Sequence, residues 1–545
     1  MSLRSLAFAT VMTVLCGSLG NTISAAPAEA SDHREFDAVL QSPFHADNKG
    51  LRTITLHFSY PDSEQTQQMH WRLELINSHE RVFRQWQGEQ SIGAAPLQVP
   101  IRWHSGNGKS GLPPGIYRLR LRAGIGTSFD VEQTWDVAVG LPRPAPMPAA
   151  VAEPTPSTRR PRASAAAKLV VRYAVHLGNL HSQTNHSDGG GALDTCKGSQ
   201  PPQSAAFGPA DAYAYAQRHG LDFLMTSEHN HMFDGSDGAN AGADPAAVKA
   251  LYRSGLQAAA AWNLAHPDFL GIYGQEWGVI NHGGHLNILN SGELLGWERS
   301  KAGDLLADTA TPKNDYATLY ALMRLRGWVG QFNHPRDGQF AIGGKALAWT
   351  PDGDAAMLLC EVMNSNAFSV NTDEFEPLLS SFEAGCNKLL EAGYHVAFSS
   401  NQDNHCANWG ASSGNRTGVL LERGERLTST TLLAALKARR IYATMDKNAE
   451  LVLTANGRLM GERFGNKGPL TLQVDYTHKN RQRPAAINVF HGVPGRNGEV
   501  TILSRKAKTV FTPKAGEHFY YARVTQHDGK ILWSAPVWVT QQPRR

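Results

Sequence analysis

The stretch 176–189, His-Leu-Gly-Asn-Leu-His-Ser-Gln-Thr-Asn-His-Ser-Asp-Gly, constrains this chain more than any other. The apolar run 169–175 leads into it as a buried strand would. The glycines at 189–191 that follow cannot hold regular structure for long. His176, His181, His186 and Asp188 are thus gathered beside a strand end. Imidazole and carboxylate are the ligands that first-row divalent metals prefer. The stretch is therefore either a metal site or a histidine-rich surface loop, and the rest of the chain decides.

Upstream, residues 33–140 read as an immunoglobulin-like β domain. The runs 53–58, 71–76 and 117–122 place apolar residues at every second position, the mark of half-buried strands in an antiparallel sandwich. Gly111, Pro113, Gly115 and Tyr117 resemble the turn that feeds the last strand pair of bacterial immunoglobulin-like domains. Nothing in this region signals chemistry, so it reads as an accessory or packing module. Residues 141–168, rich in Pro, Ala and Arg, read as a semi-rigid linker. Residues 1–30 read as a cleaved export signal. Arg4 supplies the positive start, 6–19 the apolar core, and the Ser-Ala-Ala or Ala-Pro-Ala near residue 26 the cleavage site. Cys16 follows Leu15, where a lipid anchor would want a small residue, and no later stretch is long enough to span a membrane. An exported protein, periplasmic or secreted, is expected. The basic residues are scattered at a net charge of +4, so no nucleic-acid partner is indicated. Oligomeric state is left open.

After the linker the rhythm becomes α/β. Strand-like runs at 221–226, 269–274, 285–289, 328–332, 357–363 and 394–399 alternate with helix candidates at 208–219, 244–265, 316–326 and 374–392. Asp244-Pro245 reads as an N-cap with proline at the first helical position. That many alternations predict a parallel sheet closed into a barrel over 169–445. His181, Glu228-His229, Glu276, His334 and Asp403 with His405 each fall at or just past a strand end, where a barrel's strands point to one face. This placement favours the metal site over the surface loop. A helix at 430–440 connects to a second all-β module at 446–545.

Six segments occur in this order: Leu180-His-Ser-Gln-Thr-Asn-His-Ser-Asp-Gly189, Thr226-Ser-Glu-His-Asn230, Gly274-Gln-Glu276, Gly284-His-Leu-Asn-Ile-Leu289, Asn333-His-Pro335 and Asp403-Asn-His405. The series resembles the motifs of the PHP (polymerase and histidinol phosphatase) superfamily of metal-dependent hydrolases, and most nearly its carbaryl-hydrolase-like branch. The resemblance runs from about residue 170 to the C-terminus and leaves out the N-terminal module. It implies a distorted (β/α)7 PHP barrel flanked by the two β-sandwich-like modules. It also implies two or three divalent ions (Zn, Mn or Fe). Carried over by position, His181, Glu276 and Asp403 hold one ion, Glu276, His285 and His334 a second, and Asp188, His229 and His405 a third. Gln183 stands where the family has a second histidine, and its amide oxygen could still reach a metal. Glu228 stands where aspartate is commoner.

The implied activity is metal-assisted hydrolysis of a small-molecule ester, foremost a phosphoester. Carbamates or carboxyl esters on the same site are the alternative, as is a catalytically altered binding protein. Glu276 is the central catalytic carboxylate. Arg336 either clamps a substrate anion or pairs with a rim carboxylate. His282 and His231 are candidate proton donors that also read as surface or supporting residues, and His186 reads as a loop residue or substitute ligand. Because Asp188 and His405 would share an ion, the loops bearing Cys196 and Cys406 must meet, which makes these cysteines a candidate disulfide.

Overall fold

The computed structural model describes residues 36–60, 63, 65–77, 79–104, 111–142, 172–196, 198, 200–280, 283–496 and 500–543. The expected export signal, residues 143–168 of the linker and His282 lie outside them.

The N-terminal region is a sandwich of two antiparallel sheets. One holds Asp37–Gln41, Leu51–Ser59 and Leu97–His104; the other holds Val82–Ile92, Gln67–Ile76, Gly115–Ile125 and Val131–Val139. Every second residue of Leu51–Ser59 turns inward, so Ile54, Leu56 and Phe58 meet Leu73, Leu75, Leu119 and Leu121 in one core.

The central region departs from the expected (β/α)7 barrel. Among the described residues strands far outnumber helices, and the sheet is mixed and open. Tyr173–Asn179, Phe223–His229 and Leu270–Trp277 run parallel, as do Val329–Phe332, Met357–Ser365 and Ala397–Ser400. Between these two sets, Leu286–Leu289 is antiparallel to both neighbours. The connection before it, 278–285, is too short for a crossover helix, so the chain turns back on itself. Ring closure fails for a second reason. Arg416–Glu422 occupies, antiparallel, the edge of Tyr173–Asn179 that closure would need. The sheet then runs on through Ile441–Thr444 into Ile531–Ser534 and Gly516–Thr525, across the boundary expected at 445. A four-stranded sheet around Ala449–Ala455 and Leu470–His478 covers this end, and one apolar core joins the two.

The helices begin largely where their caps indicate. Asp244 accepts from the Ala246 amide at the head of Pro245–Ala265, and Thr428 caps Ser429–Lys437. The helix expected over 374–392 starts only at Glu383, because Pro377 disfavours helix before it and Leu379–Ser381 pairs as a strand. No helix among the described residues is long and apolar enough to cross a membrane.

Candidate metal centre

Register brings the polar strand ends together. Glu276 lies directly opposite His229 on parallel neighbours, while Trp277 opposite Leu286 places His285 beside them. The Asn333 amide donates to the His285 carbonyl, which sets His334 next in line. Asp403 donates its backbone amide to the His181 carbonyl, closing the circle.

Glu276 is the hub. Its Oε2 lies 3.1 Å from His181 Nε2 and 3.5 Å from His229 Nδ1; its Oε1 lies 3.1 Å from His285 Nδ1 and 3.5 Å from His334 Nε2. The Gln183 and Asn333 amides each donate to it at 2.7 Å. Asp403 Oδ1 is 3.0 Å from His181 Nε2. Asp188 Oδ1 is 3.7 Å from His229 Nε2 and 3.4 Å from His405 Nε2. Among the described residues, three trios have potential ligand atoms within 4.8 Å of one another: His181, His334 and Asp403; Asp188, His229 and His405; His229, Glu276 and His285. The Asp188 trio is the set implied by the resemblance. In the others, His334 joins His181 and Asp403, and His229 joins Glu276 and His285.

These residues fit divalent cations. Two atoms bound tetrahedrally at about 2.0–2.1 Å from one ion lie about 3.3 Å apart, close to the spacing seen here. The carboxylates are buried among imidazoles and amides, where the charge of a cation would compensate them. Gln183 meets the cluster with its amide nitrogen, and its Oε1 is buried with no hydrogen-bond partner. Burial opposes the carboxylate form of Glu276, but His181, His285 and His229 outweigh it and hold its pKa well below the ordinary value. Burial opposes the charged form of His405, yet Asp188 and then Asp403 push its pKa up to about 9.

Glu361, Asn401, Asn333 and Asn287, assigned no role from the sequence, support the cluster. Glu361, fully buried, accepts from His181 Nδ1 at 3.0 Å, from the His334 amide at 3.1 Å and from Asn401 Nδ2 at 3.0 Å. Asn333 Nδ2 bridges Glu276 and Asn287, and Asn287 in turn donates to the Leu180 carbonyl. A lone glutamate inside the apolar run 357–363 was the available signal for Glu361. Glu228 takes its hydrogen bonds outside the cluster. It accepts from the Thr184 amide and hydroxyl and from Ser187 Oγ, fastening the loop that carries Asp188. Burial pushes its pKa up to about 7. Gly189 closes that loop, since a Cβ there would lie 2.5 Å from the Gln183 backbone.

Other singled-out residues lie off the centre. Arg336 turns to the N-terminal sandwich, with Nη2 2.9 Å from Asp37 Oδ1 and Nη1 3.0 Å from the Phe36 carbonyl. A substrate clamp is thereby replaced by the pairing reading, because two of its nitrogens already have oxygen partners. His231 stacks on Trp297, and His186 bonds the Tyr273 hydroxyl at 2.7 Å. Cys196 pairs with Cys406, and Cys360 with Cys386. A cavity of about 580 Å³ opens elsewhere, between the N- and C-terminal β modules near Arg118 and Arg505.

No protein-family model and no curated protein matches the chain. Among solved structures, it is similar to the CARDB domain of a Pyrococcus furiosus protein in complex with di-metal ions, at 13% identity and TM-score 0.16, covering 20% of this chain and 89% of that one. It is similar to beta-glucosidase 3B from Thermotoga neapolitana at 9% identity and TM-score 0.15, covering 20% of this chain and 16% of that one. For a beta-glucuronidase from Parabacteroides merdae the values are 7% and 0.15, with coverage of 94% and 65%. Likeness at this level carries no argument about fold or activity.

Proposed function

We propose that this chain is an exported metal-dependent hydrolase of ester bonds, with phosphoesters the foremost substrate class. One observation carries the reading: Glu276 lies within 3.5 Å of four imidazoles, at the hub of the three ligand trios. His181, His334 and Asp403, then His229, Glu276 and His285, then Asp188, His229 and His405, would hold two or three ions. Such donor sets suit Zn, Mn or Fe. When bound, the ions supply Lewis acidity and a water of lowered pKa.

The chain's own residues do the rest. Glu276, its side chain 1% exposed, offers an oxygen to either side and keeps neighbouring positive charges together. Glu361 fixes which nitrogen of His181 faces the centre. Asp403, His334 and His405 are the most exposed members, at 13%, 8% and 7%, so substrate approaches from their side. There the Phe368 ring sits 4.9 Å from that of His405 and walls the approach. The two disulfides support an oxidising, exported setting.

The test is metal analysis of the purified mature protein, followed by a screen of phosphomonoesters, phosphodiesters, carboxyl esters and carbamates. Tightly bound metal and turnover of at least one class are expected, and Glu276→Gln should abolish turnover, because a neutral amide bridges cations poorly. Full turnover in that variant would overturn the mechanism. Metal without turnover of any class would make the chain a binding protein.

A further inference from the structure

We infer that the N-terminal sandwich is a working part of the metal centre, in which Asp37, acting through Arg336, is a positioning residue for His334. This rests on the reading above that His334 is a ligand.

His334 has φ +31°, a left-handed backbone that a histidine adopts only when its surroundings impose it. The two residues after it show what does so. On one side of Pro335 the helix Glu383–Ala392 presses so close that a Cβ on Gly385 would lie 2.1 Å from the Pro335 carbonyl. On the other, Arg336 is anchored to the first described strand of the sandwich through Phe36 and Asp37, about three hundred residues upstream. The same guanidinium sits 5.9 Å from the centroid of Phe382, whose ring lies 6.0 Å from that of His334. Arg336 thus holds both the backbone that carries His334 and the ring that walls it.

The sandwich grips the neighbouring segment independently. Gln133 accepts from the Ser381 amide at 2.7 Å, one residue before Phe382. Asp136 pairs at 3.0 Å with Arg523 of the C-terminal module, and Arg523 lies 3.2 Å from Glu383, one residue after Phe382. An accessory module on a linker has no need to seat its side chains around one ligand's loop. The Asp37–Arg336 pair is itself partly exposed, at 32% and 11%, so it contributes little to global stability. Its consequence is local.

The experiment strips the full mature protein of metal, titrates it with Co²⁺, and follows both the heat and the visible absorption of the ion. Asp37→Ala should weaken one ion about tenfold, the scale of outer-shell substitutions. It should also alter that ion's spectrum, leave the remaining ions as in the wild type, and barely move the melting temperature. Asp37→Asn retains an acceptor for Arg336 and should restore most of the affinity. If Asp37→Ala does not fold, Arg336→Gln carries the same comparison. A titration and spectrum identical to wild type would overturn the inference, and so would equal weakening of every ion. A wild type that takes up no Co²⁺ would overturn the metal-centre reading itself.

Discussion

Glu361 Oε1 lies 3.0 Å from His181 Nδ1, with both side chains fully buried. The contact decides which face of the imidazole is available, because the nitrogen that bonds Glu361 leaves Nε2 turned toward Glu276 and Asp403. Glu361→Gln should weaken metal binding at the His181 position about 10–100-fold without touching a ligand. Stepwise metal titration checks this, and an unchanged first-to-last binding profile would show that Glu361 only fills space.

Gln183 reaches the cluster but through its amide nitrogen, 2.7 Å from Glu276 Oε2, leaving Oε1 buried without a partner. An amide oxygen is a weaker ligand than imidazole for borderline ions and less so for harder ones. Gln183→His should therefore raise zinc affinity relative to manganese at the site sharing Glu276. Competitive titration with the two ions reads the ratio. The same ratio in both proteins would mean that Gln183 does not ligate.

Cys196–Cys406 ties the loop after Asp188 to the residue after His405. The backbones are already paired there, with the Gly191 amide donating to the His405 carbonyl and the Ala407 amide to the Gly191 carbonyl. Replacing both cysteines by serine should cost about 2–4 kcal/mol in denaturant unfolding. It should also weaken the ion shared by Asp188, His229 and His405 more than the others. Peptide mapping under non-reducing conditions should recover the linked pair from the native protein.

Asp136 is buried against Arg523, Arg118 and Thr525. Burial favours its neutral form, but the arginines and hydrogen bonds outweigh this and lower its pKa. A carboxylate lowered in the folded state stabilises above its unfolded pKa, about 3.9, and the contribution fades as pH falls through the folded value. Asp136→Asn should cost about 3 kcal/mol at neutral pH, the low end for breaking a buried pair, since Glu383 still faces Arg523. The gap between variant and wild type should narrow as pH drops below about 4. Melting temperature against pH shows whether the two curves converge; parallel curves would dismiss the pair as the cause.

Much of the centre was legible because its chemistry is written at strand ends. His181, His229, Glu276, His334, Asp403 and His405 are conspicuous as polar residues at or just past the ends of apolar runs, Asp188 and His285 were named through the resemblance, and the structure brings all eight together. Glu361 and Asn401 were harder to find. They sit within or just past buried strands, and only the packing shows that they face inward and meet His181. Arg336 was misleading for the converse reason. Beside a ligand, a charged residue looks catalytic until the structure shows which oxygens it already faces.

Local alternation and caps were enough to mark the strands Leu51–Ser59, Gln67–Ile76 and Gly115–Ile125 of the N-terminal module and the helix start at Asp244, because those signals act over a few residues. They could not determine how the central strands close. Whether Tyr173–Asn179 keeps a free edge depends on Arg416–Glu422, more than two hundred residues away, competing for the same backbone hydrogen bonds. Nor could they show that Phe36 and Asp37 hold the loop of His334. Contacts between segments distant in sequence leave no periodicity in either one, so only the folded chain decides them.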